Sequence, residues 1–162
     1  MSCSLWRIAA DTPAYEADDL SGRGAERSGG RWNEVALAAV YASETRALAC
    51  LETIVHLNAG GLPFNRYLVE IRVPADHWQQ AQRETPASLP VGWDAQPAGR
   101  ASLRIGSDWL RARDSALLIL PSALVAEECN VLMNPRHPDA IAMTAQKRRR
   151  WLYDPRVTPP YR

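Results

Sequence analysis

The chain has 162 residues, of which 46% are hydrophobic and 23% charged, and its formal net charge is +1 at pH 7. This length fits one domain over residues 1–162 with a buried core. The near-neutral charge gives no reason to expect nucleic acid or an anionic membrane as a direct partner. The 3 cysteines show no C-x-x-C spacing, which argues against a disulfide framework and a zinc site. With neither a signal peptide nor an apolar run of about 20 residues, we expect a cytoplasmic protein.

The first third of the chain contains the stretch with the most informative pattern. Residues 4–9 are predicted to form a short strand, and residues 11–28 read as a loop that leads into Gly29-Gly30-Arg31-Trp32-Asn33. Two glycines allow the backbone to turn and to approach a ligand closely, and an arginine can hold a phosphate or carboxylate through two parallel hydrogen bonds. Residues 35–42 are predicted to form a buried strand of eight apolar residues that contains Tyr41 near its end.

A helix is predicted to follow this strand. Ser43 is a suitable N-cap with Glu44 in the first turn, and apolar residues recur at helical spacing from Arg46 onward. The glycines after Asn58 are expected to end the helix. Glu52 lies at the edge of the apolar face, so its carboxylate can point into a cleft beside the core. Arg31, Tyr41 and Glu52 could therefore converge on one site.

The remainder of the chain alternates between strands and proline-rich loops, which favours an α+β fold with a split, mostly antiparallel sheet and few helices. A long loop is expected over residues 74–100, with helical turns near 76–82, and a short helix over 106–110 with Ser107 as its cap. The further predicted strands are 66–73, 116–120, a segment beginning at Asn130, and a last strand over 151–156.

Each candidate residue also has an interpretation without a functional role. Arg31 could be a surface arginine, Tyr41 a core tyrosine at a strand end, and Glu52 a solvated helix residue. Ser122 would ordinarily be a turn residue, because no G-x-S-x-G motif surrounds it. The three histidines lack metal-ligand spacing, no phosphate-binding loop is present, and the basic run over residues 147–150 is more typical of a solvated edge.

Several separated motifs resemble the RES-domain family, which is named for its arginine, glutamate and serine. These motifs are G-G-R-W-N at residues 29–33, Y-A-S at 41–43, A-x-x-E ending at Glu52, P-x-G-W at 90–93, and N-x-L-x-N-P-x-H-P at 130–138. The resemblance implies the ADP-ribosyltransferase fold of diphtheria-toxin type, in which NAD lies in a cleft between two sheets. Carried over to this sequence, it puts Arg31, Tyr41, Glu52 and Ser122 in the site, with Arg7 and Asn134 as weaker members.

The chemistry implied by this resemblance requires no metal and no resident cofactor, because NAD is the substrate. Cleavage of the nicotinamide–ribose bond develops positive charge on the sugar, which a carboxylate such as Glu52 can stabilise. Arg31 would pair with the pyrophosphate, Tyr41 would pack against the nicotinamide ring, and Ser122 would fix the ribose or the amide.

The implied function is the toxin of a bacterial type II toxin–antitoxin pair, which depletes NAD by hydrolysis or phosphorolysis. The implied partner is a helix-turn-helix (Xre-type) antitoxin that covers the active site and binds operator DNA, so that the toxin contacts DNA only indirectly. Transfer of ADP-ribose from NAD to a cellular protein is the first alternative. A non-catalytic binding module that uses residues 147–150 is the second, and a homodimer is left open.

Overall fold

The computed structural model describes residues 1–57 and 61–157, which form an α+β structure with a seven-stranded sheet. The strands are β1 Ser2–Ala10, β2 Val40–Ser43, β3 Arg66–Pro74, β4 Gln82–Arg83, β5 Leu117–Pro121, β6 Cys129–Met133 and β7 Thr144–Arg150. The helices are α1 Arg23–Ser28, α2 Arg46–Ile54, α3 Ala75–Gln79 and α4 Arg100–Ala112, with short 3-10 helices at Pro138–Ala142 and Pro155–Val157.

The sheet has the order β4-β5-β6-β2-β1-β3-β7, and every neighbouring pair is antiparallel except β4 and β5. A mostly antiparallel α+β fold is therefore confirmed. The strands form one continuous sheet in place of the predicted split, although β1 and β2 share only the residue pair Trp6 and Ser43. Beyond that pair the two strands separate, and residues of both line a cavity between them.

Apolar residues pack on both faces of the sheet and hold the two halves in place. One cluster combines Leu5 of β1 with Val69 and Ile71 of β3 and with residues of β2, β5 and β6. A second cluster packs α4 and two stacked tryptophans, Trp32 and Trp93, against β5 and β6. The ring centroids of these tryptophans are 6.4 Å apart. The second cluster attaches the G-G-R-W-N segment to the sheet.

The strand predicted over residues 35–42 is wrong in length. Only Val40–Ser43 form a strand, because the chain turns sharply at Ala36, whose φ is +77°. The N–H of Ala36 donates to the carbonyl of Glu26. The side chain of Val35 is 63% exposed, so it is not part of a buried strand. Ser43 is not the N-cap that the sequence predicts. It ends β2, and the hydroxyl of Thr45 caps α2 by accepting from the N–H of Leu48.

Other boundaries also differ from the predictions. The segment 11–28 contains α1, and α2 ends at Ile54, before the predicted end. Residues 58–60 of that predicted end lie outside the described residues. The helix predicted over 106–110 is the second half of α4, which begins at Arg100, and Ser107 is buried within it.

The last predicted strand is wrong, since residues 151–156 do not form a strand and the basic run over 147–150 does. The strands predicted at 4–9, 66–73, 116–120 and from 130 are confirmed within a few residues, and α3 lies in the region where helical turns are predicted.

Within residues 1–57 and 61–157, no helix is long and apolar enough to cross a membrane. The same part of the chain has no cluster of three or more histidine, cysteine or acidic side chains suited to a metal ion. All three cysteines are free thiols, and burial raises the pKa of each above its ordinary value.

Candidate active site

A cavity of about 1000 Å³ opens where β1 and β2 separate. This volume is at the upper end of the range usual for small-molecule and cofactor sites. Four of the predicted site residues line it: Arg7, Arg31, Tyr41 and Glu52. Ser122 and Asn134 are fully buried and do not belong to the lining.

Glu52 reaches the cavity from the second half of α2, one turn after the buried residue Leu48. Its carboxylate oxygen Oε1 accepts two hydrogen bonds, from Ser122 Oγ at 2.7 Å and from Asn130 Nδ2 at 2.5 Å. No hydrogen bond within the described part of the chain is made to the second oxygen, Oε2. The carboxylate is therefore anchored through one oxygen, whereas the other has no hydrogen-bond partner among the described residues, on a side chain that lines the cavity.

Ser122 contacts Glu52 from a buried position outside the cavity lining. It directly follows β5, and its Oγ accepts hydrogen bonds from the N–H groups of Leu124 and Val125 while donating to Glu52. This position differs from the ligand contact that the resemblance implies, because the side chain is 0% exposed.

Asn130 and Ser43 also line the cavity, and neither is among the site residues predicted from the sequence. They are directly opposite each other in the antiparallel pair of β2 and β6, and Asn130 is also the partner of Leu120 on β5. Residues opposite each other share a face of the sheet, which brings Asn130 and Ser43 to the same side as Glu52. Ser43 Oγ donates to Asn130 Oδ1 at 2.7 Å.

Tyr41 fixes the G-G-R-W-N segment to β2. Its hydroxyl donates to Asn33 Oδ1 at 2.6 Å and accepts from the N–H of Trp32 at 3.1 Å. Burial raises the pKa of Tyr41 to about 12, although the backbone N–H groups of Trp32 and Asn33 oppose that effect. The phenol is thus neutral at physiological pH, where it does not act as a base. A Cβ at Gly30 would lie 2.7 Å from the tyrosine hydroxyl, so only glycine fits there.

Arg31 is fixed by a neighbouring loop. Its Nη1 donates to the carbonyls of Trp93 and Ala95, and its Nη2 donates to Gln96 Oε1. A guanidinium carries five N–H groups, so Nε–H and one Nη2–H are left to bind an anion in the cavity.

Arg7 has a different environment on β1. Its Nε is buried, and the described residues provide no hydrogen-bond or ion-pair partner for the side chain. Burial lowers the pKa of Arg7, and the charge of Asp19 opposes this effect. A half-buried cation in the cavity lining, with a buried Nε and no direct partner, favours an anionic ligand.

Asn134 lies away from this arrangement. Its Nδ2 donates to the carbonyl of Leu110 at the end of α4, and its Oδ1 accepts from the N–H of Arg136. These contacts join the end of β6 to α4.

Comparison with known proteins identifies the family. The RES domain model matches residues 4–155. The chain belongs to the RES domain family. It is 61% identical over 157 residues to the Prs ADP-ribosylating toxin of Sphingobium sp. (strain YBL2), covering 97% of this chain and 98% of that protein.

Two further relatives carry the name Toxin Res. The Pseudomonas putida protein is 39% identical over 138 residues, with 84% of this chain and 87% of the relative covered. The Yersinia enterocolitica protein is 34% identical over 144 residues, with 88% and 93% covered. The resemblance of the separated sequence motifs to the RES family is thereby confirmed.

Proposed function

We propose that this RES-domain chain is a toxin that cleaves NAD between nicotinamide and ribose and transfers ADP-ribose to a protein acceptor. The observation that carries the proposal is the Glu52 carboxylate, which is anchored through Oε1 alone among the described residues and belongs to a side chain that lines a large cavity. The name of the Sphingobium relative supports transfer to a protein.

In this mechanism the bond between nicotinamide nitrogen and C1′ of ribose breaks, and its electron pair leaves with nicotinamide. Positive charge develops on the sugar, and the carboxylate of Glu52 stabilises it electrostatically. A nucleophilic side chain of the acceptor then forms the new bond to C1′ and loses its proton. This reaction needs neither a metal nor a redox step.

Arg7 and Arg31, two of the four arginines that line the cavity, are suited to the diphosphate of NAD. Arg7 has no ion-pair partner within the described residues, and Arg31 keeps two N–H groups for a ligand. The ring of Tyr41 lines the same cavity and presents an aromatic surface to the nicotinamide.

Hydrolysis or phosphorolysis of NAD is the second candidate, and it shares the first bond cleavage. It differs only in the nucleophile, which is water or phosphate in place of a protein side chain. The Oε2 atom of Glu52 is compatible with each of these nucleophiles, so only an experiment that identifies the products distinguishes them.

The non-catalytic module that contacts nucleic acid is the weakest candidate. The basic run on β7 is largely engaged within the chain: Lys147 pairs with Asp11 and Glu16, and Arg148 pairs with Glu70. Arg149 lies over the ring of Trp151. Acidic residues thus neutralise two of the four cations, whereas Arg149 and Arg150 are exposed and have no acidic partner within the described residues.

The test uses purified protein and NAD labelled in the adenosine portion under three conditions: buffer, phosphate, and a bacterial lysate. The lysate is supplemented with Prs, the protein that the name of the Sphingobium relative gives as the target of ADP-ribosylation. Transfer predicts nicotinamide release together with label on a protein band. Release without labelled protein supports hydrolysis or phosphorolysis, which the products ADP-ribose and ADP-ribose 1″-phosphate distinguish. No nicotinamide release under any condition would overturn the proposed enzyme activity.

A further inference from the structure

We propose that Ser43 and Asn130 are positioning residues that set the orientation of the Glu52 carboxylate. This inference rests on the proposed NAD cleavage. It assigns to two residues of β2 and β6 the task of holding Oε1 in place so that Oε2 faces the sugar. The three side chains form one chain of contacts, from Ser43 Oγ to Asn130 Oδ1 and from Asn130 Nδ2 to Glu52 Oε1.

The orientation of the Asn130 amide follows from its two neighbours. A carboxylate accepts hydrogen bonds only, so Asn130 must turn its NH₂ group toward Glu52. Its oxygen then faces Ser43, whose hydroxyl supplies the donor. With that donor removed, the amide oxygen would lack its partner, and the amide would be held at this end only by its hydrogen bond to Glu52.

The second donor to Glu52 is locked in a similar way. Two backbone N–H groups, from Leu124 and Val125, occupy the acceptor sites of Ser122 Oγ. Its O–H is thereby directed to Glu52 Oε1. Because both donors meet the same oxygen, the carboxylate plane is fixed, and a long side chain with several rotatable bonds is held in one conformation.

The variants Asn130→Asp and Ser43→Ala test the assignment. Asn130→Asp keeps the shape but replaces the donor with a carboxylate, so nicotinamide release should fall by about 10²-fold, the scale expected for a displaced reacting group. Ser43→Ala should cause a smaller loss in the same direction. The affinity for NAD should change little in both, because neither residue is assigned a contact with the dinucleotide.

The pH dependence of Asn130→Asp separates positioning from a structural role. At lower pH the introduced carboxyl group becomes protonated and can donate to Glu52 as the amide does, whereas two ionised carboxylates at this distance repel each other. The ratio of variant to wild-type turnover should therefore rise as the pH is lowered from 8 to about 5.5. The variant and the wild type share the other ionisable side chains of the cavity lining, which are Arg7, Tyr15, Glu16, Asp19, Arg23, Arg31, Tyr41, Glu52, His56, Arg66 and Asp94.

Matched controls are Asn65→Asp and Ser88→Ala, which alter exposed residues outside the cavity lining. Both should keep wild-type turnover, and melting curves should show that all four variants fold. Turnover of Ser43→Ala and Asn130→Asp equal to the controls, or an Asn130→Asp ratio that does not change with pH, would overturn the positioning role. If Asn130→Asp does not fold, the turnover of Ser43→Ala decides alone. Wild-type protein that releases no nicotinamide would instead overturn the proposed function and this inference with it.

Discussion

Arg7 and Arg31, two of the four arginines that line the cavity, have different surroundings, and their substitution should have different consequences. Arg31 donates three hydrogen bonds to the loop at Trp93, Ala95 and Gln96, whereas Arg7 has no such partner within the described residues. Arg31 therefore combines a structural contact with the anion contact that the RES pattern implies. Arg7, the weaker member of that pattern, is more available to a ligand.

Arg7→Ala should weaken NAD binding by about 10- to 100-fold, the value of one charge-assisted hydrogen bond. Its melting temperature should stay the same or rise, because a partly desolvated charge without a direct partner is removed. Arg31→Ala should weaken NAD binding and also lower the melting temperature, because the 93–96 loop loses its anchor.

Isothermal titration with NAD and thermal melting measure both effects, and Arg104→Ala on the exposed face of α4 serves as the control. An Arg7→Ala protein that binds NAD as tightly as the wild type would contradict the assignment.

The residues of the site differ in how far the sequence predicts them. Glu52 follows from its position at the edge of an apolar helix face together with the family pattern. Asn130 is 78 residues from Glu52 and 87 from Ser43, and only the pairing of β6 with β2 and β5 brings them together. No local pattern encodes that pairing. For this reason Ser43 is predicted from the sequence as a helix N-cap, and Asn130 is not predicted as a site residue.

At the scale of elements, strands with clear alternation are predicted well, whereas β2 and α4 are not. The apolar run at 35–42 contains a turn that no glycine or proline marks, and its geometry depends on the Glu26 carbonyl contacted by Ala36. The start of α4 carries no side-chain cap. Tertiary contacts decide both regions.

The contact between β2 and the G-G-R-W-N segment makes a measurable contribution to the free energy of unfolding. Tyr41→Phe removes the hydroxyl and leaves Asn33 Oδ1, in a residue that is 0% exposed, without its donor. We expect the free energy of unfolding to fall by about 1–3 kcal/mol, the cost of an unsatisfied buried polar group.

Denaturant unfolding measures this change. Tyr153→Phe, which loses a hydroxyl contact to Thr53 in another part of the core, is the matched control and should lose less. A Tyr41→Phe protein with unchanged stability would show that this contact does not hold the segment.

Glu70 links β1, β3 and β7 and gives this half of the sheet a pH dependence. The hydrogen bond from Ser4 lowers the pKa of Glu70, burial opposes it, and Arg148 and Arg72 lower it further. A carboxyl with a lowered folded-state pKa contributes stability that is present above about pH 4.3, the unfolded value, and is lost as the pH falls through the folded value.

Glu70→Gln should therefore lower the melting temperature at pH 7, and its difference from wild type should shrink as the pH is taken below 4. Glu127→Gln, at an exposed position, should have little effect at either pH. A difference for Glu70→Gln that is equal at both pH values would exclude the charge of this side chain as the cause.

At the scale of the whole molecule, the cavity exists because the two halves of the sheet are joined by one residue pair at Trp6 and Ser43. β1 contributes Arg7 on one side, and β2, β6 and α2 contribute Tyr41, Asn130 and Glu52 on the other. A partner that fills this opening would be the simplest inhibitor of the proposed reaction.

We therefore expect a helix-turn-helix antitoxin to compete with NAD, through an acidic side chain or terminal carboxylate that pairs with the cavity arginines. NAD titrations of the free chain and of the complex compare the affinities directly. A complex that binds NAD with undiminished affinity would show that inhibition acts elsewhere.

The proposed catalysis depends most on the carboxylate of Glu52, and the variant Glu52→Gln tests this role most directly. Glutamine keeps an oxygen to accept from Ser122 and Asn130 but removes the charge that stabilises the developing cation. Turnover in nicotinamide release should fall by about 10²–10³-fold or more, with NAD affinity within a few-fold of wild type and an unchanged fold. A folded Glu52→Gln protein with turnover close to that of the wild type would contradict the catalytic role of Glu52.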